Sequence, residues 1–152
     1  MSKFFKVVEP KRARVLSGCL MSLVLFSEIA KSSEANLRPI SKGGDYVFPA
    51  GSQFIPAKNA HYKIVFNVTK GSDDYTKLNP SLNRVARTVN LYVASGVPLE
   101  NLKLVAVISS DAAPTVLADA HYQTHFGVPN PNLPLLDQLQ QAGVKLDRKS
   151  VV

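Results

Sequence analysis

The chain has 152 residues, enough for one domain of ordinary size, and its apolar fraction of 45% with 19% charged residues excludes disorder for want of a core. A single cysteine, Cys19, excludes an internal disulfide and any multi-thiolate metal site. The formal charge of +7 suggests nucleic acid until it is located: residues 1–35 and 147–152 hold surpluses of +3 and +1, and the remaining +3 is spread over residues 36–146 without clustering, so no phosphate-binding surface is expected.

In chain order, residues 1–35 read as an export signal. Cations from Lys3 to Arg14 precede an apolar stretch, Val15 to Phe26, and small residues follow, with Ala30 and Ala35 as candidate positions before a cut. The stretch is shorter than the ~20 apolar residues that a stable anchor requires, so no membrane anchor is expected after signal removal. Leu16-Ser17-Gly18-Cys19 resembles a lipoprotein cleavage box but lies at the start of the apolar run rather than after it, which argues against lipidation. Residues 36–60, rich in Pro and Gly, are expected to form an extended leader lying across the domain.

Tyr62 to Thr69 reads as a strand, with a nearly continuous apolar core that predicts cover on both faces. Asn79-Pro80 opens a helix, since Asn79 can accept from a free N–H and Pro80 fits the first helical position. Leu82, Val85, Ala86, Val89 and Val93 form its buried stripe, Gly96 its left-handed cap, and Pro98 prevents its resumption. Leu102 to Ile108 is a second strand, followed by a helix from about Pro114 to Phe126 that Gly127 closes. Asn130-Pro131 predicts a third helix, burying Leu133, Leu135, Leu136 and Leu139 and capped by Gly143, before Val144-Lys145-Leu146 begins a third strand. This alternation implies right-handed crossovers and a parallel sheet, hence an α/β fold.

The charges of Asp147-Arg148-Lys149 are expected to interrupt that strand. Asp147 to Val152 is also the in-frame translation of a common sequencing adapter, so residues 147–152 are expected to be a non-native tail and residues 36–146 native sequence cut short. A sheet stopped there leaves an edge unpaired and faces unburied, which predicts a product that is prone to aggregation or poorly folded.

Several motifs then occur in a specific order: Tyr62-Lys63-Ile64-Val65-Phe66, Asn79-Pro80, Arg84 to Tyr92, Gly96-Val97-Pro98, Leu117, Tyr122, Phe126-Gly127, Asn130-Pro131-Asn132 and Ala142-Gly143-Val144. In this series residues 61–146 resemble the DsrE/DsrF-like family. The resemblance implies a flavodoxin-like, three-layer parallel sheet, here incomplete at its C-terminus, that assembles into trimers or hexamers. It also implies kinship with proteins that pass sulfur through a cysteine persulfide. Two departures bear on activity. Relatives carry Cys-Gly-Gln after the third strand, which here would follow Leu146, and many carry His-Gly after the second, where this chain has Ser109-Ser110. No catalytic residue is therefore carried over.

The carboxyl ends of parallel strands are where such folds bind ligands, so Ser109, Ser110 and Asp111 at the end of the second strand, with Thr69 to Asp74 following the first, are the candidate site for a small polar or anionic ligand. The plainer alternative is that Ser110 or Asp111 caps the following helix. Gly71-Ser72-Asp73-Asp74 lacks the spacing of a phosphate-binding loop, and Asp73-Asp74 reads as a solvated turn. His121 and His125, four apart, share a helix face but lack a third ligand and the glutamate of a zinc-protease helix, so no metal is expected. His61 stands alone, and the sequon Asn67-Val68-Thr69 is discounted because it falls in a strand expected to be buried. No cofactor is expected. The leading expectation is an exported, oligomeric DsrE-like protein without catalytic activity, and the alternative is a non-catalytic binding or assembly module. A hydrolase is the most distant reading, since no Ser-centred nucleophile elbow occurs.

Overall fold

The structure, a computed structural model, describes residues 38–47, 51 and 52, and 55–148. The expected signal, residues 1–35, and the end of the expected tail, residues 149–152, lie outside the described residues. The elements are β1 (Tyr62–Val68), α1 (Pro80–Ala94), β2 (Leu102–Ile108), α2 (Asp119–Phe126), α3 (Leu133–Gln141) and β3 (Lys145–Arg148), with single 3₁₀ segments at Leu99–Asn101 and Ser110–Val116. The fold is α/β: an open, all-parallel sheet in the order β1-β2-β3, a partial flavodoxin-like arrangement. Tyr62 pairs with Leu102 and Val105 with Lys145, so each strand meets the one forty residues further on.

Burial alternates along the strands. In β2, Leu102, Leu104, Ala106 and Ile108 are buried, while Lys103 is exposed and Val105 and Val107 are half-buried. In β1, Val65 is 71% exposed between half-buried Ile64 and Phe66. The expectation of cover on both faces therefore does not hold among the described residues. Sequential parallel strands joined by right-handed crossovers place every connecting helix on the same face, which explains the pattern. The described residues supply one sheet layer and one helix layer of the expected three. Replacing Val65 with Lys is accordingly expected to change unfolding free energy by no more than about 0.5 kcal/mol in a denaturant melt, as at an ordinary surface position.

The covered face packs Leu82, Val85, Ala86 and Val89 of α1 and Leu135, Leu136 and Leu139 of α3 into one core with β2. Asn79 caps α1 as expected, its side chain accepting from the N–H groups of Ser81 and Leu82 at 2.9 and 3.2 Å. Both crossover helices end alike. Gly96 and Gly143 take φ of 89° and 82°, and the following N–H groups of Val97 and Val144 donate back to the carbonyls of Tyr92 and Leu139.

Three local expectations are corrected. The segment expected as one helix from Pro114 to Phe126 is a 3₁₀ segment to Val116 and then α2, because the Asn130 side chain occupies the Thr115 and Leu117 carbonyls at the break. For the same reason Asn130 does not cap α3, which starts at Leu133 with no side-chain bond from Asn132 to its first turn. The charges do not stop β3: Asp147 and Arg148 continue its register opposite Val107 and Ile108.

Residues 38–47 form a strap against the helix layer. Ile40 is fully buried. Asn90 of α1 accepts from the Ile40 N–H at 3.1 Å and donates to the carbonyls of Ile40 and Gly44 at 2.8 and 3.1 Å. Gln138 of α3 accepts from the N–H groups of Ser41 and Lys42, while Asn83 accepts from that of Gly44. The strap thus ties α1 to α3.

Candidate functional site

The carboxyl ends of β1 and β2 are joined tightly. The N–H groups of Ser109 and Ala112 donate to the carbonyls of Val68 and Thr69 at 3.0 and 3.1 Å. Gly71 passes so close to the next loop that a Cβ there would meet the Asp111 carbonyl oxygen at 2.9 Å. The sequence-predicted loops, Thr69 to Asp74 and Ser109 to Asp111, are therefore brought together.

Within this junction Ser109 is half-buried, Ser110 and Asp111 are exposed, and Ser110 is held at φ 54°, the left-handed region that a serine enters at a cost of about 1–2 kcal/mol. The capping alternative does not hold: the 3₁₀ segment begins after Ser109 without a side-chain cap. Among the described residues, the side chains of Ser109, Ser110 and Asp111 make no hydrogen bond or ion pair, which leaves two hydroxyls and a carboxylate free at one edge of the sheet.

The facing loop is more firmly committed. Asp74 accepts from the Thr76 hydroxyl and N–H and pairs with Lys77 at 2.9 Å. The Thr76 hydroxyl first, then Lys77 and the Thr76 N–H, favour the carboxylate and lower its pKa to about 2. Asp74 thus organises its own turn. A group whose pKa falls on folding contributes stability above its ordinary carboxylate value, and that contribution is lost as pH falls through the lowered one. The Asp74 carboxyl is therefore expected to titrate with a midpoint of about 2 by NMR, and an ordinary carboxylate midpoint would show that the turn is unformed.

An asparagine hub beneath these loops went unread in the sequence. Asn130 donates from Nδ2 to the carbonyls of Thr115 and Leu117 at 2.9 and 2.7 Å, and its Oδ1 accepts from both the backbone and side-chain nitrogens of Asn132 at 3.0 Å. Asn132 Oδ1 accepts from the Asn79 N–H at 2.7 Å, and Asn79 Nδ2 donates to the Lys70 carbonyl at 2.9 Å. The three amides are buried. They link the loop after β1, the loop after β2 and the approach to α3. The available signal was the repeated Asn-Pro dipeptide, which both times reads as a helix start.

Beside the hub, Tyr122 is buried and donates its hydroxyl to the Tyr75 carbonyl at 3.1 Å. Burial first, and the neighbouring Tyr75 second, raise the Tyr122 pKa and keep it a donor. Phe126 stacks on Tyr75 at 4.1 Å, fastening the first loop to α2.

His121 and His125 are exposed on α2, and among the described residues no group of three or more metal-ligating side chains comes together. Asn67 is exposed on the bare face, so the sequon does not lie in a buried strand as expected. A cleft of about 340 Å³ opens between α3 and β3, with Ile108, Leu133, Leu136 and Leu146 among its walls and Asp137 and Arg148 at its exposed rim. It does not include Ser109 to Asp111. Among the described residues no helix is long and apolar enough to cross a membrane. Comparison of the chain with protein-family models, curated proteins and solved structures gives no match.

Proposed function

We propose that the chain is an exported DsrE-like protein, related to the sulfur-relay proteins, that binds a small polar or anionic ligand without covalent chemistry and works as a trimer or hexamer in the periplasm or outside the cell. The observation that carries this reading is the trio Ser109, Ser110 and Asp111, held free of internal partners at the carboxyl end of a parallel sheet. No cysteine lies in residues 36–152, and a thiolate is the species that accepts and donates sulfur, so transfer through a persulfide has no nucleophile there.

Thiosulfate is a suitable probe. Its addition is expected to shift the amide resonances of Thr69 to Asp74 and Ser109 to Ala112, and Ser109→Ala with Ser110→Ala, which removes both hydroxyl donors, is expected to weaken binding a few-fold, on the order of one or two hydrogen bonds. With thiosulfate and cyanide together, no thiocyanate is expected. Unmoved resonances at both loops would remove the ligand reading, and enzymatic thiocyanate production would remove the non-catalytic one. The second reading, an assembly module of unknown ligand, draws on the two sheet edges left unpaired among the described residues.

A further inference from the structure

A further cleft, of about 450 Å³, lies between the end of the strap and α1, with Asp45, Tyr46 and Val47 on one side and Arg87 and Leu91 on the other. Its volume falls in the range of small-molecule pockets, roughly 300–1,000 Å³. It shares no residue with Ser109 to Asp111 or with the cleft between α3 and β3, and its lining falls within residues 36–146, the stretch expected to be native.

Two features set its chemistry. The first is a guanidinium that is held in place yet lacks a carboxylate. Arg87 donates from Nε to the Asp45 carbonyl at 2.8 Å. The Asp45 side chain is already taken, since its Oδ1 accepts from Arg38 Nη2 at 2.7 Å, and Arg38 also lies 5.2 Å from the centre of the Tyr46 ring. Among the described residues Arg87 has no ion-pair partner, and its two terminal nitrogens make no hydrogen bond. With Nε occupied, the fork of Nη1 and Nη2 remains, and its parallel N–H groups match the two oxygens of a carboxylate.

The second feature is apolar. Leu91 follows Arg87 by one turn on the same face of α1 and is half-buried, as is Tyr46, while Val47 is 89% exposed. We propose that this cleft binds a small aromatic carboxylate, its charge on the Arg87 fork and its ring against Tyr46, Leu91 and Val47. An inorganic anion uses the fork alone, and an uncharged ring uses the apolar wall alone. A ring is favoured over a flexible chain because Tyr46 offers it an aromatic partner and a rigid body loses less freedom on binding. The bound molecule bridges the strap and α1. The inference involves neither Ser109 nor Asp111, so it stands or falls apart from the thiosulfate reading.

Benzoate is the probe, with benzamide (the ring without the charge) and acetate (the charge without the ring) as controls, each titrated into the full chain and followed by amide resonances. Benzoate at about millimolar concentration is expected to shift the amides of Asp45, Tyr46, Val47, Arg87 and Leu91. Benzamide and acetate are each expected to bind at least ~10-fold more weakly. Arg87→Gln is expected to weaken benzoate at least ~10-fold, and Arg87→Lys, which keeps the charge without the fork, to recover only part of that loss. Unchanged β2 resonances in both variants show that the fold is intact; should either unfold, the comparison of the three probes on the parent decides alone. Unmoved amides at the cleft, or shifts confined to Thr69 to Asp74 and Ser109 to Ala112, overturn the proposal. So does a control that binds as tightly as benzoate, or a folded Arg87→Gln that binds benzoate as the parent does.

Discussion

Asn130→Ala is expected to destabilise the protein by about 3–5 kcal/mol, because each buried polar group left without a partner costs about 1–3 kcal/mol. The substitution removes both donors to the Thr115 and Leu117 carbonyls and the acceptor that holds the Asn132 N–H. It also frees Asn132, whose Oδ1 holds the Asn79 N–H. The loss spreads from one amide to three loops. Asn79→Ala is expected to cost less, about 1–2 kcal/mol, since it chiefly removes a helix cap. The double variant Asn130→Ala with Asn132→Ala should fall well short of the sum of its single effects, as members of one network do. Urea unfolding of the four proteins measures this. An unfolding free energy for Asn130→Ala within about 0.5 kcal/mol of the parent's would mean that the hub does not hold the loops.

The second large effect is expected at Gly44. This residue sits at φ 69°, and a Cβ added to it would lie 2.7 Å from the Ala86 carbonyl carbon and 2.8 Å from Asn90 Nδ2. The left-handed backbone alone costs alanine about 1 kcal/mol relative to glycine. The obstruction is α1 backbone, which cannot move aside cheaply. Gly44→Ala is therefore expected to lift the strap from α1, break the three bonds to Asn90 and expose Ile40, at a total cost of about 2–4 kcal/mol. Hydrogen exchange reads the effect at a single amide. The Ile40 N–H should lose its protection in the variant while the β2 amides keep theirs, and an Ile40 amide that remains protected would refute the strap.

The fold was legible where pattern and chemistry agreed. The apolar runs at Tyr62 and Leu102, the stripe on α1 and the capping glycines Gly96, Gly127 and Gly143 each carry a local cause, and the elements they predict all appear, with Val93 of the stripe only half-buried. The bare face was not legible, because Val65, Val105 and Val107 are as apolar as the residues beneath the helices. Only strand order decides which side is covered, and order is a tertiary property. At the site, Ser109 to Asp111 were placed correctly at the end of β2, yet the plainer expectation gave them a capping role that the structure does not realise. Asn130 deceived in the opposite direction. Its Asn-Pro dipeptide matches that at Asn79, but two carbonyls from a loop fifteen and thirteen residues earlier claim its side chain. A local rule cannot anticipate a competing partner so distant in the chain.

The strand order has a bearing on how the molecule is made. Each strand docks beside its immediate predecessor in the chain. A chain leaving the ribosome amino end first therefore finds each new strand's neighbour already synthesised, while the strap of residues 38–47 docks only once α1 and α3 have followed it. Assembly can advance one strand–helix unit at a time, and no early strand has to wait for a distant one to slide in beside it.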